Sequence, residues 1–179
     1  MITLIPLADS GHPHYIKDLF ESSFPESERP SFDEVKRRDD ERFHFFVVEN
    51  DDEPIGLLTY WNFDDFVYVE HFAIDEEMRD QGFGKAAFLT FLSQQHNQVL
   101  FEVELPHDEV SEHRVEFYSS MGLCQNEQEY WQPSYSDPQR LEMQMLIMSK
   151  YELDDDAFEE MREVLYSEVY GRADDGQGE

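Results

Sequence analysis

The stretch RDQGFGKAAF, residues 79–88, decides how this chain is read. It follows the apolar run FVYVEHFAI (66–74), opens a segment of helical periodicity, and holds two glycines, Gly82 and Gly84, one residue apart. Glycine permits positive φ and lets a backbone come close to a ligand. The amides of a helix N-terminus and their partial positive charge suit an oxyanion of phosphate. The glycines therefore either punctuate a turn or cradle a phosphate, and the flanking elements must decide which.

Upstream, ITLIPL (2–7) is a short strand. Residues 12–24 follow a helical pattern with Tyr15, Ile16, Leu19 and Phe20 on one side, and the two prolines of FPESERP (24–30) then turn the chain. A second helix, 31–39, starts at Ser31, with Glu34 at capping-box spacing. The period then changes. FHFFVVEN (43–50), PIGLLTYWNF (54–63) and FVYVEHFAI are rich in β-branched and aromatic residues and read as an antiparallel meander.

Downstream, the helix opened by the glycines runs to about residue 96 and is followed by a strand, QVLFEVEL (98–105). A helix over 111–121 ends at Gly122, and strands NEQEYWQP (126–133) and RLEMQMLIMS (140–149) come next. A last helix, 154–170, has the apolar spacing of one docked on the core, and 171–179 reads as a flexible tail. The predicted class is mixed α/β: a central sheet of about seven strands with helices on both faces, one domain over 1–150 and an extra C-terminal helix packed on it.

Composition narrows the function. The chain has 179 residues, 40% of them hydrophobic, which is enough for one real core. With Asp+Glu at 42 against Lys+Arg at 13, the net charge of -29 argues against affinity for nucleic acid or an anionic membrane. A solvated surface is the plain reading of that charge, and attraction of a cationic acceptor is the sharper one. Cys124 is the only cysteine, so no intramolecular disulfide forms. A metal is not expected, because His12 and His14 alternate, and His107 and His113 stand apart, without ligands at metal spacing. No basic leader segment or long apolar run marks export or a membrane span, so a cytoplasmic location is expected.

Two nucleotide readings compete for the loop. Gly82-x-Gly84-x-x-Ala87 fits the dinucleotide fingerprint, with Glu102 or Glu104 about twenty positions on, which would make the chain an NAD-dependent oxidoreductase. That turn should follow its strand almost directly, yet DEEMRDQ separates Ile74 from Gly82, and an antiparallel meander does not suit a βαβ half. No Walker loop is present.

Arg79, Asp80, Gln81, Gly82, Phe83 and Gly84 match the pattern [Q/R]-x-x-G-x-[G/A] that follows the fourth strand of GNAT acetyltransferases, and VEHFAID resembles that strand. EFYSSMGL resembles the family's F-Y-x-x-x-G-F element, with Phe117, Tyr118 and Gly122 in place and Leu123 where phenylalanine is usual. The resemblance in element order spans about residues 1–150. It implies acetyl-CoA as cosubstrate, its pyrophosphate held by the loop residues from Arg79 to Lys85. Main-chain groups of Phe72, Ala73 and Ile74 would hold the pantetheine arm, and an N–H of Phe72 or Ala73 would polarise the thioester. It further implies Tyr118 as proton donor and Glu70 or Glu102 as base, with His71 a weaker choice because strand alternation turns it to the other face unless a bulge intervenes.

An amine of a small molecule or peptide would sit near the FPESERP loop, with contributions from Phe24, Glu28 and Arg29. The asparagine that family members often carry before the F-Y pair is absent, and Ser111 lies nearest its place. The FP..ER segment is similar to a bacterial subgroup of unassigned substrate. A noncatalytic acyl-CoA-binding sensor or assembly module stays open as an alternative, and RLEMQMLIMS as an edge strand would allow a homodimer.

Overall fold

In the computed structural model, which describes residues 1–173, most predicted elements form near their expected places; the predicted tail beyond residue 173 lies outside the described residues. Two units are distinguished, 1–26 with 31–101 and 27–30 with the chain from 102 onward.

The first unit holds β1 (Ile2–Pro6), α1 (Pro13–Ser23), α2 (Phe32–Lys36), β2 (Phe43–Asn50), β3 (Glu53–Asn62), β4 (Phe66–Ile74), α3 (Phe83–Ser93) and the start of β5 (Gln98–Glu104). β1 to β4 pair antiparallel in chain order, and β5 joins β4 in parallel from Phe66↔Gln98 to Val69↔Phe101. Alternation sorts the side chains onto two faces. Val47, Leu57 and Ala73 pack with Ile16, Leu19 and Phe20 of α1 and with Phe32 and Val35 of α2. Their neighbours Val48 and Ile74 pack on the other side with Ile55 and Ala87 of α3. Gly56 makes that second face possible, because a Cβ there would stand 2.6 Å from the carbonyl oxygen of Ala73 and 2.7 Å from Ile74 Cδ1. α2 is a single short helix closed at its start by the expected capping box of Ser31 and Glu34.

The second unit contains α4 (Glu109–Ser119), β6 (Cys124–Gln125), β7 (Tyr130–Pro133), β8 (Leu141–Ser149) and α5 (Asp155–Val164), which widens into a π turn over Leu165–Val169. Eight strands are seen among the described residues rather than about seven, and only Tyr130–Pro133 of NEQEYWQP is a strand. Asn126 is the reason. It is buried, its side-chain amide donates to the Ile147 carbonyl and Ser149 Oγ, and its Oδ1 accepts from Leu153 N–H at 2.9 Å, so it anchors a crossing of chain segments. β8, expected as an edge open to another subunit, pairs with both β6 and β7. α5 lays Phe158, Met161 and Leu165 inward, and Phe158 meets the Tyr130 ring edge-on at 6.4 Å. No helix of the described residues is long and apolar enough to cross a membrane.

Candidate active site

The glycine loop begins where β4 ends. Asp75 caps a 3₁₀ turn, Glu76–Met78, by accepting from Glu77 N–H at 3.0 Å, and Arg79 Nε donates back to the Ile74 carbonyl at 3.0 Å. These bonds fix the path of the residues between strand and helix that the dinucleotide turn lacks. Asp80 and Gly82 both adopt positive φ, 59° and 82°. Gly82 is the N-cap of α3; a Cβ there would meet nothing within 4 Å, so the backbone conformation rather than crowding calls for glycine. No side chain caps α3, and the first turn of a helix directs its amides outward. Beside the loop, α1 and the 3₁₀ turn enclose a cleft of about 510 Å³ whose lining includes Tyr15, Asp18, Ser22, Asp75, Glu77 and Arg79. The Tyr15 hydroxyl donates to Asp75 at 2.5 Å, and burial, followed by that hydrogen bond, raises its pKa.

β4 carries a bulge beside the loop. Thr59 pairs with His71 and Tyr60 with Val69, so Glu70 is the extra residue. Its side chain is fully enclosed, whereas the residue as a whole keeps some exposure, which therefore belongs to the main chain. Arg38 grips the carboxylate with two nitrogens, at 2.5 and 3.2 Å, and Trp61 Nε1 donates at 2.9 Å. The guanidinium also lies over the rings of Phe43 and Trp61. Burial pushes the Glu70 carboxyl up; the charges of His71 and Arg38, with the hydrogen bonds from Arg38 and Trp61, outweigh it and hold the group below the usual range. His71 shares a 2.9 Å hydrogen bond with Thr59 and meets the rings of Phe20 and Phe24 at 5.0 and 4.9 Å. Phe24, expected at the acceptor, is thus part of the aromatic packing under α1. Phe72, Ala73 and Ile74 pair with Leu58, Leu57 and Gly56 of β3.

Arg38 and Trp61 had no motif to announce them. Removing the guanidinium leaves an enclosed carboxylate short of its counter-ion, so Arg38→Met is expected to cost about 3 to 5 kcal/mol in denaturant unfolding. The double substitution with Glu70→Gln should recover part of the loss, and wild-type stability in the single variant would refute the pairing.

The second unit carries Glu28, Arg29, Glu102 and Tyr118. Tyr118 is buried near the end of α4, beside the ring of Phe117, and burial pushes its phenol up to about 12, with Arg114 opposing. α4 starts two residues before the expected point, since Asp108 is its cap. Asp108 accepts from Ser111 N–H at 2.8 Å, and Ser111 Oγ in turn accepts from Asp108 N–H at 3.1 Å. The serine nearest the missing asparagine is therefore engaged in capping. Burial, then the negative charge of Glu104, raises the pKa of Glu28; Arg114 opposes and Glu142 adds to the rise.

Glu102 is partly exposed and well held. Its Oε1 accepts from the hydroxyls of Tyr130 at 2.5 Å and Tyr170 at 2.9 Å, and its Oε2 from Gln132 Nε2 at 2.5 Å and Tyr170 at 2.8 Å. None of these three donors was singled out in the sequence. No group of three or more His, Cys, Asp or Glu residues among the described residues is arranged to hold a metal.

The model of the acetyltransferase (GNAT) family matches residues 14–123. No curated protein sequence matches the chain. Among solved structures, a Bacteroides thetaiotaomicron protein assigned to the GNAT family is 32% identical, over 97% of this chain and 99% of that one, with a TM-score of 0.86. The ribosomal-protein-S18-alanine N-acetyltransferase from Escherichia coli shares 16% identity over 83% of this chain and 91% of its own, with a TM-score of 0.59. Arabidopsis thaliana Naa50, solved with the bisubstrate analogue CoA-Ac-MVNAL, shares 15% over 84% and 98%, with a TM-score of 0.60. The last two are alike in fold alone.

Proposed function

We propose, since the chain belongs to the GNAT family of acetyltransferases, that it transfers the acetyl group of acetyl-CoA to a primary amine of a small molecule or peptide. The observation that carries this reading is the loop after β4, where Gly82 in the left-handed region leads into an α3 without a side-chain cap. That geometry suits a pyrophosphate, with 79–85 as its holder. Acetyl-CoA supplies the thioester. The amine nitrogen bonds to the carbonyl carbon as the carbon–sulfur bond breaks, so one proton must leave nitrogen and one must reach sulfur.

We assign the second proton to Tyr118. A phenol held at about 12 stays protonated through the neutral range and can donate a hydrogen bond to departing sulfur. For the first, Glu102 is the better choice of the two glutamates. Glu70 is enclosed and held at both oxygens by the guanidinium of Arg38, a permanent cation that favours its charged form, whereas the donors to Glu102 are the neutral groups of Tyr130, Gln132 and Tyr170. Main-chain N–H groups of Phe72 or Ala73 are assigned to the carbonyl oxygen, where loss of such a donor elsewhere costs about 3 to 4 kcal/mol of transition-state stabilisation. Glu28 and Arg29 remain the acceptor-side candidates.

The test is incubation with acetyl-CoA and a panel of amines, following thiol release and acetylated product together by mass spectrometry. Equal amounts of both are expected. Coenzyme binding with no transfer to any amine would favour the noncatalytic alternative.

A further inference from the structure

The C-terminal segment reaches Glu102 through an unusual turn. From Leu165 the helix changes to a π turn, closed by Tyr170 N–H donating to the Leu165 carbonyl at 3.1 Å, five residues back. Such turns are rare and often mark functional places. Widening the turn by one residue changes the direction in which the next side chains leave the axis. Tyr166 donates to the Trp131 carbonyl at 2.6 Å, and Tyr170 is directed at Glu102.

What Tyr170 does there is specific. Its single hydroxyl lies 2.9 Å from one carboxylate oxygen and 2.8 Å from the other, in line with a shared proton. Tyr130 holds Oε1, and Gln132 holds Oε2 while also donating to the Tyr170 hydroxyl at 3.1 Å. A carboxylate otherwise turns freely about its last torsion, which has a broad energy profile. Donors on both oxygens stop that rotation. Tyr130 and Tyr170 are buried and Glu102 is half-buried, so the carboxylate is held by groups anchored in the protein interior. All three donors lie outside residues 14–123, the part of the chain that matches the family model.

We propose that Tyr170 is a positioning residue that acts through Glu102: with Tyr130 and Gln132 it locks the carboxylate in one orientation toward the acceptor amine, so the C-terminal segment serves catalysis as well as packing. This rests on the reading of the chain as an acetyltransferase with Glu102 on the acceptor side. Misplacement of a reacting group by about 1 Å can cost a hundredfold in rate, and loss of one of three restraints should cost less, about tenfold.

The experiment is a double-substitution cycle on the full chain. Tyr170→Phe removes the hydroxyl and keeps the ring that meets Tyr135 at 5.0 Å, so the fold should persist. Gln132→Leu attacks the same carboxylate from its other oxygen. Each should lower kcat/KM for the amine by about tenfold while acetyl-CoA affinity, measured calorimetrically, stays at the wild-type value. In a Glu102→Gln background Tyr170→Phe should add nothing further, because its effect passes through that carboxylate. If Tyr170→Phe lowers the Tm but leaves amine kinetics unchanged, or if its effect persists undiminished beside Glu102→Gln, the positioning role is wrong while the acetyltransferase reading stands. A wild-type protein that acetylates no amine overturns both.

Discussion

Gly84→Asp is expected to weaken acetyl-CoA binding by about a hundredfold or more, equivalent to roughly 2.7 kcal/mol, with no loss of fold stability. Gly84 is the second residue of α3, in the turn whose amides face outward. A carboxylate there places negative charge and bulk where a pyrophosphate would lie. The same carboxylate is favourable to the helix itself, since an acidic side chain in the first turn complements the helix dipole. Binding and stability should therefore move in different directions, a separation that a merely disruptive substitution would not produce. Calorimetry with thermal unfolding in parallel reads both; normal affinity in the variant would mean that the glycines serve the turn alone.

Tyr118→Phe should lower kcat by roughly tenfold or more and leave acetyl-CoA affinity near wild type, because general acid assistance acts in the transition state. With the phenol pushed up to about 12, no alkaline limb from this group is expected in the rate profile below about pH 10. The same shift has a stability consequence. The unfolded tyrosine ionises near pH 10, so the folded form's hold on the proton adds stability that is fully present below about pH 10. That contribution is lost as pH rises through about 12. Its absence from the alkaline unfolding of Tyr118→Phe checks the burial, and unchanged turnover across the pH range would remove Tyr118 from the chemistry.

The parts of this molecule that were legible in sequence are those governed by local signals. Gly82 announces a left-handed cap, Ser31 and Glu34 a capping box, and the β-branched and aromatic residues of FHFFVVEN a strand; each acts over a few residues. The partners of the two glutamates are of another kind. Arg38 lies 32 residues from Glu70, and Tyr170 lies 68 from Glu102, so only the folded chain reveals which carboxylate is paired with a guanidinium and which is held by neutral donors. His71 shows the limit of strand periodicity, which is informative only until a bulge adds a residue, and Glu70 is that residue. The π turn is equally silent in sequence, since 154–170 keeps ordinary helical spacing to its end.

The measurement that bears most directly on the account is calorimetric titration of the wild-type chain with acetyl-CoA, with NAD in a parallel cell. Saturable binding of acetyl-CoA at micromolar affinity, with no heat from NAD, is the predicted result. Absence of acetyl-CoA binding, or preference for NAD, would contradict the assignment of residues 79–85 as the pyrophosphate cradle and the chemistry built upon it.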